Sequence, residues 1–487
     1  MRAHRSALLC LAAIVLTLGA LDAADAQKAF SRAPTPGAGR PTGGGGGGFE
    51  GGGGGFRGGL GVIPGVLMAI PQPNGPYVDD ASQGPGPGQP RNTARRGPSG
   101  APPANERRMV PDEVVVELPN SFSQQALDAL QRRSRLTLLE RQTSQLTGTT
   151  LYRWRIPDRR SVPTMIRQIE TDAVAVSAQP NYLFALQQTE TKAEGDPAQY
   201  ELAKLHLPQA HTLAKGDNVL VAVIDSGVDT SHPDLAGAVA QSFNAIESAD
   251  APHKHGTAIA GLIAAHGRLM GAAPGARILA IRAFDPAGAG AEGSTFNILK
   301  SLDWAAANGA RVINMSFAGP ADPAIHRSLE AARKKNIVLI AAAGNAGAKS
   351  PPLYPAADPN VIAVSATDAD DKLFDASNRG NYIAVAAPGA QLLVAIPDGG
   401  YEVASGTSYS AAEVTGIVAL MLERKPDLSP AQVRGILQAT ARDLGPKGPD
   451  TMFGAGLADA YGALNAQAAP ALASVPRPAE RVSSGAR

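Results

Sequence analysis

Six stretches of this chain, residues 219–224, 277–283, 311–315, 337–342, 361–365 and 382–386, are runs of Val, Ile, Leu and Ala in which polar residues do not alternate. A strand with one wet face alternates apolar and polar side chains. A strand covered on both faces does not, and parallel sheets sandwiched between helices are made of such strands. Helical patterns fall between and after the runs, at 295–308, 323–335 and 410–424, and a further helix is capped by Ser429 with Pro430 in its first turn. The pattern predicts an α/β fold of three layers around a mostly parallel sheet, over residues 197–466. Reactive groups in such a sheet belong at the carboxyl ends of strands and the starts of helices.

The rest of the 487 residues divides by composition. Residues 1–26 read as an export signal: Arg2, His4 and Arg5, an apolar run over 7–21, then the small-x-small site Ala24-Asp25-Ala26. The run falls short of the ~20 residues a membrane-spanning helix needs, so a secreted product with no transmembrane span in the mature chain is expected. Cys10 is the sole cysteine, and its loss with the signal excludes disulfides and thiol catalysis. Much of the Gly and Pro lies between 31 and 105, and residues 27–108 are expected to be a disordered arm, since glycine runs lose much entropy on ordering and bury nothing. A disordered tail is expected over 467–487. With a net charge of +1, nothing in bulk draws the chain to nucleic acid. Residues 109–190 read as strand (114–118), helix (121–133), strands (136–140 and 151–156), helix (162–170) and strand (174–186), the β-α-β-β-α-β order of a small ferredoxin-like module.

Three polar residues stand where the sheet pattern places chemistry. Asp225 ends V-A-V-I-D-S-G, His255 lies in K-H-G-T-A-I-A-G as an apolar helix begins, and Ser408 lies in G-T-S-Y-S-A-A at a glycine turn opening another helix. A serine hydroxyl attacks a carbonyl only when a base takes its proton. A neutral imidazole is such a base, and a buried carboxylate holds its tautomer and supports the imidazolium. Asn345, in A-A-A-G-N-A-G after a strand, has an amide that could donate to the oxyanion beside the main-chain N–H of Ser408. Activity is expected to fall toward acid as His255 takes up a proton.

The motifs D-S-G, H-G-T, A-A-G-N and G-T-S, in that order, resemble those of the subtilisin-like serine proteases. The resemblance extends through I-D-S-G-V-D-T-S-H-P-D-L (224–235), G-A-A-P (271–274), W-A-A-A-N-G-A-R-V-I-N-M-S (304–316) and G-A-G-L-A-D-A (454–460). It implies a subtilisin-like fold with Asp225, His255 and Ser408 as triad and Asn345 as oxyanion donor. Ser316, Phe317 and Ala318, with Ala342, Ala343 and Gly344, would bind substrate backbone and flank the pocket. It further implies that residues 109–190 are a propeptide that assists folding and then blocks the groove. Q-P-N-Y at 179–182 resembles the end of such segments, and cleavage is expected within 186–197. The function implied is an exported serine endopeptidase, made as a self-processing precursor and acting on proteins or peptides, with its own propeptide as intramolecular inhibitor. The alternative is a catalytically silent binding or adhesion protein on the same fold. Tyr409, where the family usually has Met, and Ala318, where it usually has Gly, are expected to reshape the pocket.

Other motifs are weaker. Residues 288–293 spell G-x-G-x-x-G, but the next strand ends in Ser316 without the acidic residue a ribose would need. Resemblance places that loop beside the substrate groove, and no cofactor is expected. His232, His253 and His266 lack metal-ligand spacing and read as structural or surface residues, and Asp368, Asp370 and Asp371 read as a solvated turn. The 265–271 loop is shorter than in relatives that bind calcium there, and Asp234 alone matches their ligands, so that site is not carried over and no metal is expected.

Overall fold

Val221, Val223 and Ile224 are all fully buried, as the unbroken run requires, and they belong to the middle of a seven-stranded sheet. The computed structural model describes residues 99–171, 177–187, 199–246, 254–287 and 290–467. The expected signal, residues 27–98 of the Gly/Pro arm, residues 468–487 of the tail and His253 lie outside the described residues, while residues 99–108 are described, with the Gly100 N–H donating to Glu170 Oε1 at 2.7 Å.

The chain begins with a small α+β module: β1 (Met109–Pro119), α1 (Gln124–Ser134), β2 (Thr137–Ser144), β3 (Thr149–Arg155), α2 (Val162–Thr171) and β4 (Ser177–Leu186). Its strands run in the order β2-β3-β1-β4, all antiparallel. Val114 and Val116 face α1 and α2 while Val115 faces the opposite way, into the core of the larger layer. The strand is therefore covered on both faces, with Glu113 and Glu117 buried on the same face as Val115. Ser123 caps α1, accepting from the Ala126 N–H at 3.2 Å.

Two short helices, α3 (Tyr200–Lys204) and α4 (Leu207–Ala210), lead into β5 (Leu220–Asp225), β6 (Val239–Asn244), α5 (Lys254–Ala264) and β7 (Arg277–Arg282). Next come β8 (Asp285–Ala287), β9 (Gly290–Ser294), α6 (Thr295–Ala307), β10 (Val312–Met315), β11 (Phe317–Ala318), α7 (Pro323–Lys334), β12 (Val338–Ala342), β13 (Ile362–Thr367) and β14 (Ile383–Pro388). The hairpin β15 (Leu392–Ile396) and β16 (Gly400–Ala404) precedes α8 (Thr407–Arg424), α9 (Pro430–Thr440) and α10 (Ala460–Ala466). The parallel sheet has the order β14-β13-β12-β10-β5-β7-β6. One apolar core lies between it and α5, α8 and α9, and a second lies between it and α6 and α7, giving the three layers the runs predict.

Polar side chains of β4 join the module to the larger layer. Asp322 caps α7 through the N–H groups of Ala324 and Ile325, and also accepts from Gln179 Nε2 at 2.5 Å and Thr295 Oγ1 at 2.6 Å. Asn181 Oδ1 accepts the Phe296 N–H at 3.2 Å, in the first turn of α6. The N–H groups of Ala324, Ile325 and Phe296 satisfied in this way are donors that a helix start leaves open.

Candidate active site

The sheet delivers Asp225, Ser316 and Asn345 to one edge. Asp225 is the last residue of β5, Ser316 follows β10 and Asn345 follows β12 by three residues, all at carboxyl ends. His255 and Ser408 each sit in the first turn of a helix, α5 and α8. Asp225, His255 and Ser408 are buried.

His255 Nδ1 lies 2.9 Å from both carboxylate oxygens of Asp225. The Ser226 N–H (2.7 Å) and hydroxyl (3.0 Å) also donate to Asp225 Oδ1, so the carboxylate cannot rotate without losing donors. Gly256 completes the fit: a Cβ there would stand 2.0 Å from the Gly227 carbonyl oxygen, which explains why glycine follows the histidine. Tyr409 is buried with its ring centroid 5.8 Å from that of His255, so this residue braces the imidazole. Burial raises the Tyr409 phenol far above its ordinary range, with Glu402 and Asp225 adding to the rise, so it stays neutral.

Asn345 Oδ1 accepts from Thr407 N–H at 3.0 Å and from Thr407 Oγ1 at 2.9 Å, which fixes the amide orientation. The Nδ2 end is buried and has no hydrogen-bond partner among the described residues. It is an unspent donor on a side chain tied to the residue before Ser408. Sequence reasoning named Asn345 but missed Thr407, although its hydroxyl stands inside the quoted G-T-S.

The six pocket residues are also brought together. Phe317 and Ala318 form β11, Ala342 ends β12, and all six are buried. The groove they border holds a strand of the same chain. β4 pairs antiparallel with β11 (Phe317 with Leu186, Ala318 with Ala185) and with β9 (Leu183 with Ser294, Phe184 with Gly293, Ala185 with Glu292). The glycine-rich 290–293 is thus a strand edge, which accounts for its small residues without a nucleotide. Beyond β4, the Gln187 N–H donates to the Ser316 carbonyl at 3.2 Å, and the Ser408 hydroxyl donates to the carbonyls of Gln187 (2.5 Å) and Ser316 (3.0 Å).

The remaining candidates take structural places. His232 Nδ1 accepts the Asp234 N–H and its Nε2 meets the Gly400 carbonyl. Asp371 pairs with Lys204 and Arg442. In the loop after α5 the polar side chains that face it are hydrogen-bonded to its backbone. Asp234 Oδ1 accepts the Arg268 N–H at 2.6 Å and Oδ2 the Leu269 N–H at 3.1 Å, and the Gln199 amide is spent on the N–H and carbonyl of Met270, both at 2.9 Å.

The three-layer sheet with these groups at one edge defines the subtilisin-like α/β class. A model of the subtilase family matches residues 216–456. Subtilisin E of Bacillus subtilis (strain 168) is 37% identical over 258 residues, covering 50% of this chain and 66% of that protein. Thermitase of Thermoactinomyces vulgaris is 34% identical over 274 residues, covering 55% of this chain and 95% of thermitase. Among solved structures, fervidolysin from Fervidobacterium pennivorans, described as a keratinolytic enzyme related to subtilisin, aligns with a TM-score of 0.63 at 26% identity, over 73% of this chain and 61% of that one. The chain belongs to the subtilase family, whose serine-protease relatives it matches through the sheet and both helices of the site.

Proposed function

We propose that this chain is an exported serine endopeptidase, made as a precursor that processes itself. Ser408 Oγ attacks the carbonyl carbon of the scissile bond while His255 takes its proton. Asp225 holds the proton on His255 Nδ1 and supports the imidazolium. Charge developing on the carbonyl oxygen is met by Asn345 Nδ2 and the Ser408 N–H at the start of α8. His255 then returns its proton to the leaving amine. Water, deprotonated by His255, attacks the acyl-enzyme and releases the acid, restoring the Ser408 hydroxyl.

The observation that carries this reading is the buried His255–Asp225 pair, with Nδ1 2.9 Å from both carboxylate oxygens and the imidazole 5.8 Å from the ring of Tyr409, the residue next to Ser408, whose hydroxyl donates to the carbonyl oxygen of the groove residue Gln187. Substrates are extended protein or peptide segments, because the groove offers two strand edges, β9 and β11, and adding a strand to them is how an unfolded segment binds. Residues 109–190 then act as the intramolecular inhibitor, since β4 occupies those edges. The signal supports export, and among the described residues no helix is long and apolar enough to cross a membrane.

The test is intact mass of the protein from Lys28 onward beside its Ser408→Ala variant, with a serine-reactive phosphonate probe. The parent is expected to split after the module and to label, and the variant to do neither. A parent that stays whole and unlabelled refutes the reading and leaves a silent binding protein.

A further inference from the structure

The strand in the groove ends on a glutamine whose every polar group is engaged. Its N–H donates to Ser316 O and its C=O accepts from Ser408 Oγ. Its side-chain Oε1 accepts the Asn345 main-chain N–H at 3.0 Å, while Nε2 donates to the Ala185 carbonyl at 3.0 Å. Upstream, Ala185 and Leu186 are held in register on β11. A bound peptide is cut at the carbonyl the nucleophile touches, provided its backbone is held in place. Ser408 Oγ donates to two carbonyl oxygens, those of Gln187 and Ser316, and of these only Gln187 belongs to the segment seated in the groove.

The side chain adds a second constraint. Asn345 N–H requires an acceptor and Ala185 C=O requires a donor, about one methylene-chain length from the backbone. Glutamine supplies both. Methionine has the same reach and only a weak acceptor, and ionised glutamate supplies two acceptors, one of them turned against a carbonyl. We infer that this chain cuts itself between Gln187 and Gln188, and that its groove selects glutamine at the residue before the cut, with the Asn345 main-chain N–H as the specificity-determining donor. The inference rests on the serine-endopeptidase reading. It narrows the region 186–197, expected from the sequence, to one bond. In that step the Gln187 C–N bond breaks, Ser408 Oγ forms the ester, the Gln188 amine leaves with the proton from His255, and water hydrolyses the ester to the Gln187 carboxylate.

The experiment uses the full chain from Lys28. Intact mass of both processed pieces should give one ending at Gln187 and one beginning at Gln188. Processing that begins at any other bond overturns the assignment. The processed enzyme is then assayed on peptide p-nitroanilides Phe-Ala-Leu-X, with X as Gln, Met, Glu or Leu. Gln should exceed Met in kcat/KM by about fivefold, the value of one solvent-accessible hydrogen bond, and Glu by at least about tenfold. Equal rates for Gln and Met, or a faster Leu, overturn the preference even where the cut site holds. In a parallel arm, Gln187→Met should slow self-processing by a similar factor while the mature enzyme's rate on an unrelated unfolded protein stays the same. A chain that neither splits nor labels with a serine probe overturns the endopeptidase reading instead, so the two failures are distinguishable.

Discussion

Two buried carboxylates outside the active site make the fold sensitive to pH. Glu413 lies on α8, five residues after Ser408, and Glu201 lies on α3, and both are nearly inaccessible to solvent. Gln199 Nε2 donates to Glu201 Oε1 at 3.1 Å, but Oε2 of each glutamate has no hydrogen-bond partner among the described residues. Burial raises Glu201 to about 7 and pushes Glu413 well above its ordinary range, with the charge of Glu201 adding to the second rise. An unfolded chain ionises both near 4.5. Between that value and about 7 the folded state holds more protons than the unfolded one, so stability falls as pH rises. For Glu201 alone the loss is on the order of 3 kcal/mol by pH 8, and Glu413 adds a loss of the same sign. Glu413→Gln keeps the shape and removes the ionisation. In the Ser408→Ala background, which prevents autolysis, it should change little at pH 5 and stabilise the fold at pH 8, read as a raised Tm. Guanidinium unfolding of both proteins at the two pH values measures the double difference, in which other titrating groups cancel. A gain at pH 5 as large as that at pH 8, or none at either, would refute the account, because neither outcome is compatible with two carboxyls sharing a dry site.

Other expectations follow from single contacts. Asp225→Asn should lower kcat by about 10⁴ with little change in KM, since an amide imposes the wrong tautomer on His255 while preserving shape; a loss under tenfold would remove Asp225 from the mechanism. Gly319→Ala would place a Cβ 2.2 Å from Cδ1 of Phe184 on β4. It should destabilise the uncleaved Ser408→Ala chain by about 1–3 kcal/mol, and Phe184→Ala should recover part of that in a double-mutant cycle. Additive losses would show that Phe184 does not pack there. Asp234→Ala strips acceptors from two N–H groups and should cost about 1–3 kcal/mol for each left unpaired. The cost should be the same in calcium or chelator, and a parent whose Tm rises by several degrees with millimolar calcium, while the variant's does not, would contradict this.

How far the sequence could be read depended on how local each signal was. The ends of β5, β10 and β12 were legible because parallel strands buried on both faces leave no alternation, and the first polar residue after the run marks the sheet edge; Asp225, Ser316 and Asn345 all fall within three residues of such an end. Elements with a wet side were harder. β6, whose V-A-Q-S-F-N covers an edge, and β16, G-Y-E-V-A, carry no such run and went unread, and β15 went unread with its partner although L-L-V-A-I is an apolar run. Glu413 shows the limit most sharply. A lone glutamate in an apolar helix reads as the residue that faces water, yet Glu413 is buried and feels the charge of Glu201, more than 200 residues earlier in the chain. Gln187 is the same case in the groove, since nothing in its neighbourhood announces a pairing with Ser316, Asn345 and Ser408. Chemistry was legible where a residue type and its place in an element both point to it. That the groove is occupied followed from the resemblance, but which residue meets Ser408, and the burial of a charge, are properties of two distant segments at once, and for these the coordinates were needed.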